Sequence, residues 1–161
     1  MKALMIVLCV ALAPGGQTVA FAQARPDFSG SWRLNVGKSA PNVTGNTPNI
    51  PFPSQIAVKQ TPTDISIEST SVRQQPVSAV YKLDGSKVSV QTPAGITETG
   101  EAKFDGENLS ISSRRSFSSP AGDIVVEFKE VWSLSGNVLT IQKTRIQSGE
   151  SSTEKAVYDK L

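Results

Sequence analysis

Apolar and polar side chains alternate with a period of two along most of the chain after residue 25. In the stretch DFSGSWRLN, Phe28, Gly30, Trp32 and Leu34 occupy every second position, as in a strand that buries one face. No segment after residue 25 keeps the period of an amphipathic helix. The pattern therefore predicts an all-β protein whose first strand contains Trp32.

Clusters of turn residues divide this pattern into about nine to ten strands. Three of the predicted turns, at Asp84-Gly85, Asp105-Gly106 and Gly136-Asn137, have the residues that tight hairpins prefer. A loop rich in Pro, Asn and Thr over residues 36–53 follows the first strand. Further strands are predicted over residues 54–60, 64–73, 77–83, 87–93, 96–104, 108–117, 124–134, 138–147 and about 153–160.

Successive hairpins without long crossovers favour a simple architecture. They predict an up-and-down antiparallel meander of about 8–10 strands that closes into a barrel, with a two-sheet sandwich as the alternative. Outward positions such as Arg114, Glu127 and Lys129 are too polar for the lipid-facing band of a membrane barrel. We therefore expect a soluble barrel.

Residues 1–24 have the composition of a secretory signal peptide. Lys2 precedes an apolar run over residues 3–13, and Ala22-Gln23-Ala24 has the small-x-small pattern of a cleavage site. The run is shorter than the ~20 residues of a membrane span. Cys9 follows Leu8, which does not suit a lipoprotein anchor.

Cleavage after Ala24 would leave residues 25–161 as a single domain. We expect this domain to be periplasmic or secreted, not lipidated, without an integral membrane span, and monomeric. The chain contains one cysteine, which lies in the predicted signal, so the domain would be held together by its core without disulfides.

Five short stretches carry a resemblance to a known group of proteins. In chain order they are DFSGSWRLN, YKLDGS, FDGENLSI, EVWSLSGNVLTI and AVYDK. They resemble exported bacterial lipocalin-like (calycin-type) β-barrel domains of unassigned function, and Gly30-x-Trp32 is similar to the Gly-x-Trp of lipocalins and avidin-type barrels. The resemblance implies that Trp32 closes one end of the barrel against a basic residue of a late strand, for which Arg145 is a candidate. The cysteine pairs and C-terminal helix of animal lipocalins are missing here, so their ligands are not carried over.

Few residues suited to catalysis are present. The chain has no histidine, and its one cysteine lies in the predicted signal, so common nucleophile–base pairs and the usual zinc or haem ligand sets are missing. The 16 basic and 14 acidic residues nearly balance, and Arg114 and Arg115 point to opposite faces of their strand. We therefore expect no enzymatic activity, no cofactor, no metal and no nucleic-acid partner.

Two functions remain open. The first is binding of a small apolar or amphipathic ligand in the barrel interior. The second is a structural or protein-interaction module of the cell envelope, with a barrel filled by its own side chains. In that case the loop over residues 36–53, with Ile50 and Phe52, would be the contact surface unless it folds over the barrel as a lid. Small residues predicted to point inward, Ala79, Gly100, Ala102 and Ser113, favour a cavity.

The hairpin register places charged residues on the apolar face. A two-residue turn at Gly136-Asn137 sets Glu130 opposite Lys143 and Phe128 opposite Arg145, and the Gly106 hairpin sets Glu98 opposite Arg115. Burying such charges unpaired would cost several kcal/mol, so each pair should meet or line a polar cavity, unless the strand ends flare towards solvent. The predicted ligand-binding residues are Tyr81, Glu98, Arg115, Phe128, Glu130, Trp132, Lys143 and Arg145.

Overall fold

The structure is a computed structural model, which describes residues 25–39, 52–71, 75–91, 97–120 and 122–161. The predicted signal peptide and most of the loop over residues 36–53 lie outside these residues. Among the described residues, no helix has the length and apolarity needed to cross a membrane.

Ten antiparallel strands account for most of the described chain. They are β1 (Gly30–Leu34), β2 (Gln55–Gln60), β3 (Asp64–Thr70), β4 (Val77–Lys82), β5 (Val88–Gln91), β6 (Thr97–Asp105), β7 (Asn108–Ser119), β8 (Gly122–Ser135), β9 (Val138–Gln147) and β10 (Glu150–Lys160). A 3₁₀ turn follows β1. The predicted all-β meander is confirmed, because each of these strands overlaps a predicted one.

The strands form one sheet in the order β4-β3-β2-β1-β10-β9-β8-β7-β6-β5. The first strand pairs with β2 on one side and with β10 on the other, so the two ends of the domain meet in the middle of the sheet. The outermost strands of this order, β4 and β5, lie side by side but share no ladder in the described chain. The sheet is thus a nearly closed barrel, as predicted, rather than a sandwich.

The segment before β1 closes one end of the barrel. Phe28 is fully buried, and its ring lies 6.2 Å from that of Phe104 and 6.1 Å from that of Trp132. The indole Nε1 of Trp32 donates a hydrogen bond to the Phe28 carbonyl at 3.0 Å, and the Gln60 side chain accepts from the Phe28 backbone N–H at 3.1 Å. We call this end the floor of the barrel.

The Gly30-x-Trp32 pattern has a specific packing role. Gly30 has a φ of +138°, and a Cβ at this position would lie 2.8 Å from Cε of Lys160. The absent side chain lets Lys160 cross Gly30, and its Nζ lies 5.2 Å from the ring centroid of Trp32. Glycine is therefore needed here both for its backbone conformation and for this close approach.

The expectation that Arg145 is the basic partner of Trp32 is wrong. Trp32 pairs in register with Lys160 of β10, which brings that lysine to the ring. Arg145 lies near the opposite end of β9, where its exposed side chain donates to Gln147. Period-two alternation gave the face of the sheet to which Arg145 belongs, but not its level along the barrel.

Candidate functional site

A cavity of about 290 Å³ lies inside the barrel, beyond the floor. The C-terminal ends of β3, β5, β7 and β9 lie at the opposite end, which we call the mouth. The volume is near the low end of the range for small-molecule sites. The cavity is therefore large enough for a small ligand and too large for a fully packed core.

The cavity wall nearest the floor is apolar. It is formed by Ile56, Ile67, Ile111, Ile141, Trp132 and the two buried tyrosines, Tyr81 and Tyr158. Burial raises the pKa of both phenols well above the ordinary value, and the nearby carboxylate of Glu130 adds to the effect at each. Both tyrosines thus remain neutral and leave the floor suited to hydrocarbon.

Glu130 and Lys143 form a partly buried ion pair in the cavity wall. The Lys143 Nζ lies 3.1 Å from Glu130 Oε1, and the indole Nε1 of Trp132 donates to Glu130 Oε2 at 2.9 Å. Both charged side chains are 23% exposed. The predicted register is confirmed, since Glu130 pairs with Lys143 and Phe128 with Arg145.

Two cations lie against one aromatic ring closer to the mouth. The Arg115 guanidinium carbon is 4.7 Å from the ring centroid of Phe128, and the Lys143 Nζ is 5.0 Å from it. These distances are typical of cation–π contacts. Arg115, Phe128 and Lys143 come from the adjacent strands β7, β8 and β9, so the sheet places them side by side.

Glu98 and Arg115 line the cavity without forming an ion pair in the described structure. The β6–β7 ladder pairs Thr99 with Arg114, as the predicted register requires, but the Arg115 side chain extends over Phe128 instead of meeting Glu98. The sequence predicted that each acid–base pair either meets or lines a polar cavity. Glu130 and Lys143 meet, whereas Glu98 and Arg115 line the cavity without meeting.

Tyr81 packs against a glycine at the edge where β4 meets β5 and β6. A Cβ on Gly100 would lie 2.6 Å from Cε1 of Tyr81, so the glycine leaves the space that the ring occupies. Tyr81 belongs to β4 and Gly100 to β6, and the ring therefore spans the place where β4 and β5 share no ladder. The contact closes the wall of the cavity where backbone hydrogen bonds do not.

Residues 52 and 53, at the end of the predicted long loop, cover part of the cavity. Phe52 is 8% exposed and lines the cavity together with Pro53. The Tyr158 hydroxyl donates a hydrogen bond to the Pro53 carbonyl at 2.9 Å. This end of the loop thus folds inward, while Ile50 lies outside the described residues.

Seven of the eight predicted ligand-binding residues line the cavity, and Arg145 does not. Their role in binding stays a prediction. Sequence reasoning missed Tyr158 and Phe52. The alternation of Ala156 and Tyr158 on the last strand was a usable signal for Tyr158, whereas no periodicity marks Phe52 within its loop. Among the described residues, no cluster of His, Cys, Asp or Glu could hold a metal ion.

The fold is similar to that of several solved structures. No family model matches the chain, and no curated protein sequence is significantly similar to it. The structure of zebrafish ileal bile acid-binding protein complexed with cholic acid superposes with a TM-score of 0.59 at 15% identity, covering 83% of this chain and 98% of that one. The fold is that of a calycin-type β-barrel.

Two further structures show the same similarity. The fatty-acid-binding protein 1 of Echinococcus granulosus superposes with a TM-score of 0.54 at 16% identity, over 83% of this chain and 97% of that one. The secretory abundant heat soluble protein 4 of Ramazzottius varieornatus gives a TM-score of 0.54 at 15% identity, over 83% and 94%. At these identities the likeness concerns the fold.

Proposed function

We propose that this protein binds a small apolar or amphipathic molecule inside its barrel. The observation that carries the proposal is the cavity of about 290 Å³, with an apolar floor and a polar mouth. Each buried methylene of a ligand would contribute about 0.8 kcal/mol, so an alkyl chain can supply binding energy without a specific polar contact.

The structural relatives support this proposal. Their names describe a bile acid-binding protein and a fatty-acid-binding protein, and each superposes over 83% of this chain. The cavity also argues against the alternative of a structural module, because a barrel filled by its own side chains would leave no such volume. We further propose that the domain acts as a monomer in the periplasm or as a secreted protein, after removal of residues 1–24.

Native mass spectrometry of the purified domain after incubation with lipid extracts tests the proposal. We expect one adduct per chain with wild-type protein. Ser113→Phe places a large side chain in the cavity and should abolish the adduct, whereas Ser112→Phe, one residue earlier on the outer face of β7, should retain it. A bare mass with every extract, or an equal adduct in both variants, would contradict binding inside the barrel.

A further inference from the structure

We infer that the ligand is a single-chain amphiphile that enters tail first and leaves an anionic headgroup at the mouth, held by Arg115 and Lys143, which both contact the Phe128 ring. This inference rests on the proposed binding function. It adds the charge of the headgroup and the orientation of the ligand.

The inner face of β8 gives three levels along the barrel axis. Trp132 lies at the floor, Glu130 at the middle and Phe128 towards the mouth, all on the inner face of the same strand. The four residue steps from Phe128 to Trp132 correspond to about 13 Å along the strand. This depth suits an extended alkyl chain, and the apolar floor favours the chain terminus over a charged group.

The cations at the mouth have hydrogen-bond donors available. Arg115 has no ion-pair or hydrogen-bond partner among the described residues, although its guanidinium lies over the Phe128 ring. Lys143 forms an ion pair with Glu130 and lies opposite Glu154 of β10, and its ammonium group has three donors. A carboxylate or phosphate near Phe128 can therefore accept from both side chains.

The arrangement of the acidic residues in the cavity also favours an anionic headgroup over a cationic one. Both oxygens of Glu130 are occupied, one by Lys143 and the other by the indole of Trp132. Glu98 is then the one carboxylate of the described lining that could receive a cationic headgroup, and Arg115 occupies the adjacent strand on the same face. The lining thus offers an anionic headgroup hydrogen-bond donors on both Arg115 and Lys143, but offers a cationic headgroup the single carboxylate of Glu98.

Calorimetric titration with three probes that share a dodecyl chain tests the headgroup charge: dodecanoate, dodecyltrimethylammonium and dodecanol. We expect dodecanoate to bind tightest, and Arg115→Gln to weaken it roughly tenfold, the value of one charge-assisted hydrogen bond. Arg115→Lys should keep part of this preference. Arg114→Gln is the matched control, because that side chain is exposed and pairs with Glu127 at 3.6 Å on the outer face.

Quenching of tryptophan fluorescence tests the orientation. A dodecanoate brominated at its terminal carbon should quench Trp132 more strongly than one brominated beside the carboxylate, because Trp132 lines the floor. Equal quenching, or stronger quenching by the second probe, would overturn tail-first entry. Equal affinity for the three probes, or an equal loss of all three in Arg115→Gln, would overturn the anionic site while leaving binding itself intact. Failure of all three probes to bind wild-type protein would instead overturn the proposed function.

Discussion

Removing the charge of Glu130 should destabilise the domain more than removing that of Glu127. Glu130 accepts from Lys143 at 3.1 Å and from the Trp132 indole at 2.9 Å, with both members of the ion pair 23% exposed. Glu127 makes a 3.6 Å contact with Arg114, and these side chains are 45% and 65% exposed. Glu130→Gln removes the ion pair with Lys143, and because an amide has one acceptor oxygen, only one of the two donors keeps its hydrogen bond. The loss is about 1.5 kcal/mol, whereas the exposed pair contributes about 0.5 kcal/mol or less.

Urea unfolding followed by tryptophan fluorescence measures this difference. With a typical dependence of stability on urea, the Glu130→Gln midpoint should fall by about 0.5–1 M, and the Glu127→Gln midpoint should hardly move. A double-mutant cycle with Lys143→Gln should give a coupling of about 1 kcal/mol. Equal, small effects of Glu130→Gln and Glu127→Gln, or a coupling near zero, would refute the partly buried pair and its part in the cavity wall.

Three further perturbations test other parts of the structure. Gly100→Ala should cost about 1–3 kcal/mol in thermal unfolding, because its Cβ would clash with Tyr81, and an unchanged midpoint would contradict that packing. Lys160→Met should cost about 0.5–1 kcal/mol through loss of the cation over the Trp32 ring, whereas Arg145→Met should be neutral, and the reverse order would contradict the contact. Burial raises the pKa of Glu154 above 4.5, so ionisation of this carboxyl as pH rises costs stability. Glu154→Gln should therefore unfold at a higher urea concentration than wild type near about pH 7, and the difference should be lost near about pH 3. A difference that does not change with pH would contradict this reasoning.

The strands and hairpin registers could be predicted because local rules determine them. A Gly-Asn turn of two residues fixes which residues face each other, and this placed Glu130 opposite Lys143 before any three-dimensional information. Alternation then assigned each residue to the inner or outer face. The inner face of β8 was therefore predicted correctly from Phe128 to Trp132.

The remaining features depend on relations that alternation does not encode. Lys160 reaches Trp32 because β1 pairs with β10, a contact between the two ends of the domain. Arg115 lies over Phe128 because a long side chain can reach a neighbouring strand, so its partner is not fixed by the residue opposite it. The position of Phe52 inside the cavity follows from the path of a loop, and apolar and polar residues do not alternate regularly in a loop.

The two tryptophan indoles offer the most direct test of ligand binding inside the barrel. Trp132 lines the cavity, whereas the Trp32 indole is buried outside its lining and donates to the Phe28 carbonyl. In ¹H–¹⁵N NMR spectra recorded during titration with dodecanoate, we predict a large shift of the Trp132 indole resonance and a small shift of the Trp32 resonance. Saturating dodecanoate that leaves the Trp132 resonance in place would contradict the account.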